Sequence, residues 1–528
     1  MQQFIAKLGN CIEGVISGFD RLVFRGTLRR LYQRKGMEWY LCQNHVQIKD
    51  YAQHVDQVST ALKTASLEPF HSLGLVVEHL RSCRISKDER ARQIAAEQGI
   101  QSGPVCAFSC VEPCKSFRLE KNPNTGWLEP VLKQRQCLVL YHYSIHPEFG
   151  WMNARIQTWF PFAIQICING REWLARQMDR LKLHYQRHEN CFSWIGDYQR
   201  AQQLLEEQLK GNWPQWLDAI ARQLNPIHEE IFHNYETRYY WSCHQSEWAT
   251  DIVITDVAKF QRLYPILVDH AMNTFSCTDV MRFLGRKIKP EGPVPANFSG
   301  EVVGDVKHRQ EGTRIKFRMN QNSIKAYDKA QTWNRAVFRA AETTINDTKD
   351  FRVWRPKEGE PEGQKKWRPL RKGNADLHRR AEVSQAANAR FMDALASVDD
   401  STSIQELLAP LQKPITSNGR RVRALRPMAD DRALLEAINH GEFAINGFRN
   451  RDLQRLLFST SARSHKEKQR RSAAISRKLR MLREHGLIRK VARTHRYQLT
   501  EQARGIIAAV LTANRASVAQ LNRLKEAA

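Results

Sequence analysis

The chain has 528 residues, of which 42% are hydrophobic, and this is enough for two to four domains with apolar cores. Lys and Arg number 82 against 55 Asp and Glu, so the formal charge is +27 and a polyanion, most simply nucleic acid, is the expected partner. No run of about 18 apolar residues could span a membrane, no leader sequence is recognised, and no glycine-rich pattern indicates a nucleotide cofactor. We therefore expect a cytoplasmic, non-membrane protein with reduced cysteines.

Residues 1–286 are predicted to form an N-terminal α+β body. Near its start, a strand-like apolar run from 15 to 24 surrounds a single acid, Asp20. An acid inside an apolar strand can ligate a metal ion, or it can form an ion pair with Arg21 or Arg25. Both interpretations stay open from the sequence.

Residues 103–162 are predicted to be strands, and the last long one leads into a loop rich in polar groups. His142, His146 and Glu148 lie close together there. A set of two histidines and one carboxylate can bind a divalent metal ion for phosphodiester cleavage. The alternative is a strand end whose histidines pack and form hydrogen bonds.

Helical patterns are predicted from 169 to about 240, beginning with Asn169 as an N-cap. Glu247 and Asp251 follow, four residues apart, before an apolar run. Both acids are further candidates for metal ligands.

Two predicted linkers divide the rest of the chain, and prolines or basic runs mark them. The predicted segments are 287–300 (proline-rich linker), 301–400 (antiparallel meander plus a long helix), 401–429 (basic linker) and 430–528 (C-terminal domain).

Within the meander, the sequence IKAYDK is followed by Arg339 and Glu342 on the next predicted strand. This arrangement over 323–346 resembles the Y-x-K … L-R-x-E pairing of phage and small-plasmid rolling-circle replication initiators, although two residues rather than one separate the arginine from the glutamate. The resemblance implies that Tyr327, Lys329 and Glu342 lie near a DNA-handling surface. A sheet whose charged residues form cross-strand ion pairs is the alternative.

The C-terminal domain contains short elements in a definite order. Asn450 is expected to cap a first helix, and a second helix from 472 to 485 ends at Gly486. Strands at 487–491 and 496–499 then precede a third helix. The apolar face of the second helix consists of Ile475, Leu479 and Leu482.

This order of elements resembles the winged helix-turn-helix family. The resemblance implies that the helix over 472–483 enters a DNA major groove and that the basic wing reaches a minor groove or a phosphate. The nucleic-acid contacts expected on this basis are Ser472, Ser476, Arg477, Arg480, Arg483, Arg493 and Arg496. From 463 to 496 there are 13 Lys or Arg against two acids, which agrees with a phosphate-binding face. A winged helix used for protein contacts is the alternative.

We therefore predict a multidomain α+β protein, with a mixed helical/antiparallel-sheet body followed by a C-terminal winged helix-turn-helix domain. The expected function is binding of double-stranded DNA in replication initiation or mobile-element transactions, with RNA as an alternative partner of the body. One alternative is a metal-dependent nuclease, nickase or transposase that uses Mg²⁺ or Mn²⁺, and another is a non-enzymatic transcription regulator. The candidate catalytic residues are Asp20, Glu148, Tyr327 and Glu342. Segments such as YHYSIHPEFGWMN also resemble a bacterial family, and this likeness implies no particular activity.

Overall fold

A computed structural model of the protein describes residues 4–5, 9–82, 84–188, 190–286, 301–309, 312–332, 334–357, 360, 362–396, 404–417, 419–439, 443, 447–458, 460, 462–491 and 494–515. The helices among them are α1 (Arg34–Gln43), α2 (Tyr51–Ser72), α3 (Lys87–Glu97), α4 (Gly170–Arg180), α5 (Tyr198–Gln208), α6 (Trp213–Leu224), α7 (His228–Ile231), α8 (Val257–Thr274), α9 (Cys277–Phe283), α10 (Leu377–Ala396), α11 (Ile404–Leu408), α12 (Arg432–Ile438), α13 (Asn450–Leu457), α14 (His465–Glu484) and α15 (Glu501–Arg515). The strands are β1 (Ile12–Thr27), β2 (Val76–Leu80), β3 (Gly103–Lys121), β4 (Leu128–His146), β5 (Gly150–Gln157), β6 (Ile164–Asn169), β7 (Tyr185–His188), β8 (Cys191–Ile195), β9 (Tyr240–Ile254), β10 (Val302–Arg309), β11 (Gly312–Met319), β12 (Asn322–Gln331), β13 (Ala336–Ile345), β14 (Arg352–Arg355), β15 (Lys366–Pro369), β16 (Ile415–Ser417), β17 (Arg420–Val422), β18 (Ile488–Lys490) and β19 (Tyr497–Leu499).

Two compact units make up the chain. The first unit consists of Cys11–Thr255 and Asp328–Asn388, and the second unit consists of the remaining residues. Strand β13 and most of α10 therefore belong with the N-terminal body, whereas the sequence placed them in the meander segment 301–400. The predicted linker 287–300 lies outside the described residues.

The first unit is built on a large mixed sheet, in the order β13-β9-β1-β6-β5-β4-β3-β2. Neighbouring strands are antiparallel except for β2 and β3, which are parallel. Side chains alternate between the two faces of a strand, and accordingly Ile164, Ile166 and Ile168 of β6 are all buried. The predicted mixed α+β class is confirmed.

Helix α4 begins as the sequence predicted. The side chain of Asn169 accepts hydrogen bonds from the backbone N–H groups of Arg171 (2.8 Å) and Glu172 (3.1 Å), so it caps the helix.

The helical prediction from 169 to 240 is wrong between α4 and α5, where β7 and β8 form a hairpin. Phe192 and Ile195 of β8 are buried in the main apolar core, and Cys191 is buried next to Val337 of β13. The hairpin therefore depends on a partner that is distant in sequence.

The second unit contains β10, β11 and β12 as far as Tyr327, and these strands of the predicted meander pair in antiparallel fashion. Its C-terminal elements follow the predicted order of two helices, a hairpin and a further helix. The long helix α14 begins seven residues earlier than expected, because the side chain of Ser464 accepts a hydrogen bond from the backbone N–H of Glu467 (3.2 Å). Gly486, which follows the C-cap residue His485, has a φ of +72°, as expected for a glycine that ends the helix.

The C-terminal elements enclose an apolar core. Ile475, Leu479 and Leu482 of α14 are buried in it, which confirms the predicted apolar face. The predicted linker 401–429 contributes Leu411 and Leu425 to the same core.

The prediction that Asn450 caps α13 is wrong. Asn450 is the first residue of this helix, and the carboxylate of Asp452 accepts a hydrogen bond from the backbone N–H of Arg449 (2.8 Å) instead. The amide of Asn450 donates to the carbonyl of Ser472 and to the hydroxyl of Ser476, both at 2.9 Å. Asn450 therefore joins α13 to α14.

Across the residues that the structure describes, we find no helix with the length and apolar character that crossing a membrane requires.

Candidate functional site

Three adjacent strands of the first unit bring acids together on one face of the sheet. Glu247 and Asp251 alternate along β9 with Ala249 between them, so their side chains share a face. In β13, Glu342 lies opposite Ala249 and Arg339 lies opposite Asp251. Both side chains therefore point to the face that carries the acids of β9.

A β-bulge explains how Arg339 and Glu342 share a face although they are three residues apart. In a regular strand this spacing would place them on opposite faces. The register between β13 and β9 shifts between Arg339 and Ala341, which inserts one residue into β13. A second irregularity, between Phe19 and Arg21 of β1, lies at Asp20.

Arg339 is the central cation of the site and is buried. Its Nε donates to Oδ1 of Asp251 (2.8 Å), and its Nη1 donates to Oε2 of Glu342 (2.8 Å). The same Nη1 lies 3.0 Å from Oδ2 of Asp20. Burial alone would lower the pKa of Arg339, but the three carboxylates outweigh it and hold this pKa well above its usual value.

Arg171, the second residue of α4, is the other buried cation. Its Nη2 donates to Oδ2 of Asp251 (2.8 Å), and its Nε lies 3.8 Å from Oδ1 of Asp20. Burial would raise the pKa of Asp251, but Arg339 and Arg171 together lower it below its usual value. Close approach of α4 to the sheet requires Gly170, since a Cβ there would lie 1.8 Å from the carbonyl oxygen of Phe19.

The turn between β7 and β8 covers this site. The amide of Asn190 donates to Oδ1 of Asp20 (2.9 Å), and its carbonyl oxygen accepts from Nη2 of Arg339 (3.3 Å). Its side-chain oxygen accepts from the amide of Asn169, the cap of α4 (2.7 Å). The hairpin that the sequence missed is thus part of the site.

Helix α10 fixes the opposite face of the same strands. The amide nitrogen of Asn388 donates to the carbonyl oxygens of Trp248 (3.1 Å) and Ala341 (3.2 Å). Its oxygen accepts from the hydroxyl of Thr343 (2.7 Å). These bonds join β9 and β13 through one buried side chain, so the acids on the other face are held at fixed positions.

Asp20, Glu247 and Glu342 each offer a carboxylate oxygen, and these three oxygens lie within 4.8 Å of one another. Asp20 and Glu342 are buried, while Glu247 is half-buried and accepts from the amide of Gln245 (2.7 Å). Oxygen ligands at this spacing suit a hard divalent cation such as Mg²⁺ or Mn²⁺. The full set, here called the carboxylate–arginine cluster, is Asp20, Arg171, Glu247, Asp251, Arg339 and Glu342.

The carboxylate–arginine cluster contains more carboxylates than arginines. Its four carboxylates outnumber its two arginines by two. Arg21, opposite Glu247 in the sheet, adds an exposed cation at the edge. A divalent cation held by Asp20, Glu247 and Glu342 would add positive charge to this cluster.

Asp20 lies within the acid group and also forms an ion pair. Of the two expected partners, Arg21 has a raised pKa, to which Cys167, Glu247 and Asp20 contribute in that order. Asp20 pairs directly with Arg339 and lies near Arg171, whereas Nε of Arg21 donates to Sγ of Cys167 (3.3 Å) and Arg25 donates to Tyr32 (2.7 Å).

His142, His146 and Glu148 take part in other contacts. Glu148 accepts from the indole of Trp173 (3.2 Å) and forms an ion pair with Arg180 (2.7 Å). Nδ1 of His146 accepts from the backbone N–H of Glu148 (3.0 Å). The three candidates do not form a metal-ligand group of three within the described part of the chain.

His142 is held by neutral contacts. Its Nε2 lies 3.2 Å from the hydroxyl of Ser66, and its ring packs edge-on against Phe70. Burial lowers the pKa of His142 to about 4, so the ring is neutral at pH 7.

Tyr327 lies in the second unit, whereas Asp20 and Glu342 lie in the first. It is buried in β12, opposite Arg314 of β11.

The predicted nucleic-acid contacts lie mostly on α14. Arg477 and Arg483 are exposed and Arg480 is half-exposed, while Nη2 of Arg483 donates to Glu484 (2.8 Å). Ser476 is exposed and bonded to α13 through Asn450.

The other predicted contacts are distributed differently. Ser472 is half-buried, and its carbonyl accepts from Asn450. Arg496 is half-buried, and its Nη1 donates to the carbonyl of Gly447 (3.4 Å). Arg493 lies outside the described residues.

Comparison with known proteins gives no match. No protein-family model, no curated protein and no solved structure is significantly similar to this chain. The three sequence resemblances therefore remain predictions, and a function has to be argued from the residues themselves.

Proposed function

We propose that the protein binds double-stranded DNA through its C-terminal elements, α12 to α15, which have the order of a winged helix-turn-helix domain. The observation that carries the proposal is the basic outer surface of α14, whose opposite face is buried in an apolar core. A helix anchored in this way can present guanidinium groups to a DNA groove without moving.

The hairpin after α14 supports the same proposal. The backbone N–H of Phe448 donates to the carbonyl of Tyr497 (2.9 Å), and the reverse bond is 2.8 Å. This bridge adds a third strand segment to β18 and β19. A helix flanked by such a small sheet is the arrangement that we expect for a wing beside a recognition helix.

The test is duplex binding by an Arg477→Ala/Arg480→Ala variant, measured by fluorescence anisotropy of a labelled duplex. We expect affinity to fall at least tenfold, because two phosphate or base contacts are lost. A matched control is Arg118→Ala/Arg238→Ala, which removes two exposed guanidinium groups of the first unit. Equal affinity of the α14 variant and the wild type would refute the proposal.

We propose replication initiation or mobile-element transactions as the setting of this DNA binding, because a regulator alone would not need the large first unit. A transcription regulator is the alternative. Mapping the sites that the protein occupies on its own genomic DNA separates them. Occupancy of replication origins or element ends supports the first, and occupancy of promoters alone supports the second.

A second candidate function is metal-dependent phosphodiester cleavage in the first unit. The convergence of Asp20, Glu247 and Glu342 favours it. These three would hold Mg²⁺ or Mn²⁺, and such an ion supplies an activated water and stabilises the leaving oxygen when bound. Arg339 and Arg171 would keep Asp251 ionised, and Arg339 would orient Asp20.

The cleavage test uses supercoiled plasmid with Mg²⁺ or Mn²⁺, and titration calorimetry with Mn²⁺ alone. We expect nicking and metal binding by the wild type, and loss of both in Asp20→Asn and Glu342→Gln. Glu148→Gln serves as the control, since Glu148 lies outside the acid group. The hypothesis of metal-dependent cleavage would be contradicted if the wild-type protein binds duplex DNA but neither nicks plasmid nor binds Mn²⁺.

A further inference from the structure

Two tryptophans face each other on the outside of the hairpin formed by β14 and β15. Trp354 and Trp367 are directly opposite in the register, with ring centroids 5.6 Å apart and planes at 60°. Their exposed fractions are 53% and 55%. Large aromatic side chains are usually buried, so an exposed pair marks a surface that contacts something else.

This tryptophan hairpin stands on a packed base. Val353, next to Trp354, is 2% exposed and lies in an apolar cluster with Phe351 and Leu370. The backbone N–H of Leu370 donates to the carbonyl of Phe351 (3.0 Å), which closes the base of the hairpin. Alternation along β14 turns Val353 inward and Trp354 outward, and the rings are therefore held on a fixed support.

The tryptophan hairpin is also basic. Strands β14 and β15 contain four cations and no acid: Arg352, Arg355, Lys366 and Arg368. Arg355 forms an ion pair with Asp376 (3.1 Å), whereas Arg352 and Lys366 are exposed.

Helix α10 adds one more cation beside the rings. The guanidinium of Arg379 lies 5.6 Å from the ring centroid of Trp367 and also pairs with Glu382 (2.6 Å). Its Nε donates to the carbonyl of Arg352 (2.9 Å), so its position is fixed relative to β14. Flat apolar rings and positive charge thus occupy one surface.

We infer that the tryptophan hairpin binds single-stranded DNA, with unpaired bases stacked on Trp354 and Trp367 and the sugar–phosphate backbone near Arg352 and Arg379. Duplex DNA keeps its bases stacked on one another, so it cannot offer their faces to these rings. A single strand offers both exposed bases and phosphates, which is the combination that aromatic and basic groups recognise. This inference rests on the proposed function only in taking DNA as the partner.

The test measures anisotropy of a labelled 20-nucleotide oligo(dT) and of a duplex with the full-length protein. We expect Trp354→Ala/Trp367→Ala to lose oligo(dT) affinity by roughly tenfold for each ring, because each base loses its stacking partner. Trp354→Phe/Trp367→Phe should keep most of the affinity. The matched control is Trp39→Ala/Trp127→Ala, which removes two tryptophans that are 60% and 76% exposed.

The two DNA surfaces are tested separately by the two probes. Arg477→Ala/Arg480→Ala should lose duplex affinity and keep oligo(dT) affinity, and the tryptophan variant should show the reverse. Wild-type oligo(dT) affinity in Trp354→Ala/Trp367→Ala overturns the inference, as does an equal loss in Trp39→Ala/Trp127→Ala. Neither result would contradict the proposal that α14 binds duplex DNA.

Discussion

Replacement of Arg339 by methionine should destabilise the first unit strongly. Methionine keeps much of the side-chain volume and removes the charge. The change deletes bonds of 2.8 Å to both Asp251 and Glu342 and the 3.0 Å contact with Asp20. Three buried carboxylates then lose their central cation, and removal of one partner from a buried ion pair costs about 3–5 kcal/mol.

Urea unfolding followed by tryptophan fluorescence measures this loss at pH 7. The matched control is Arg180→Met, because Arg180 forms a half-exposed pair with Glu148 and its loss should cost less than about 1 kcal/mol. Adding Asp251→Asn to Arg339→Met should recover part of the stability, since it removes one uncompensated buried charge. An Arg339→Met variant that is no less stable than Arg180→Met would refute the reasoning.

The wild type and Arg339→Met should also differ in how their stability changes with pH. In the wild type the pKa of Asp251 is lowered, so its contribution to stability is present above the unfolded-state pKa and is lost as pH falls through the folded-state pKa. Without Arg339, burial should raise the carboxyl pKa values of the cluster. The variant should therefore become more stable when the pH is lowered from 7 to 5, and the wild type should not.

Two further predictions concern buried polar groups. Because the folded-state pKa of His142 is about 4, the unfolded state binds more protons between pH 6.5 and 4, and the stability of the protein should decline as the pH falls through this range. The decline in Tm between pH 7 and 4.5 should be smaller in His142→Gln than in the wild type. An identical decline in both proteins would contradict this prediction. Asn388→Ala should lower the free energy of unfolding in urea by about 2–4 kcal/mol, because its hydrogen-bond partners in β9 and β13 stay buried without a replacement partner. The control Asn124→Ala changes an exposed residue and should alter this free energy little.

Local patterns in the sequence were sufficient for many elements of this fold. The apolar run around Asp20 became β1, Asn169 capped α4, and Ile475, Leu479 and Leu482 formed the buried face of α14. Each of these features depends on neighbours within a few residues. Their physical causes, namely alternation, capping and helical periodicity, can be read directly from the chain.

The cluster could not be predicted because its contacts are long-range. Arg171 and Arg339 lie 80 and 88 residues from Asp251 in sequence. Asp20, Glu247, Asp251 and Glu342 were all candidate acids, but nothing local shows which of them converge. The bulge beside Arg339 also changes which face its side chain occupies, and it has no local signal in the sequence.

The salt dependence of duplex affinity tests the central claim of DNA binding by α14 most directly. We expect the logarithm of the wild-type binding constant to fall linearly with the logarithm of salt concentration, because phosphate contacts release counterions. Arg477→Ala/Arg480→Ala should flatten this slope by about two units, at roughly 0.9 for each lost phosphate contact. An unchanged slope and affinity would show that α14 does not bind the DNA.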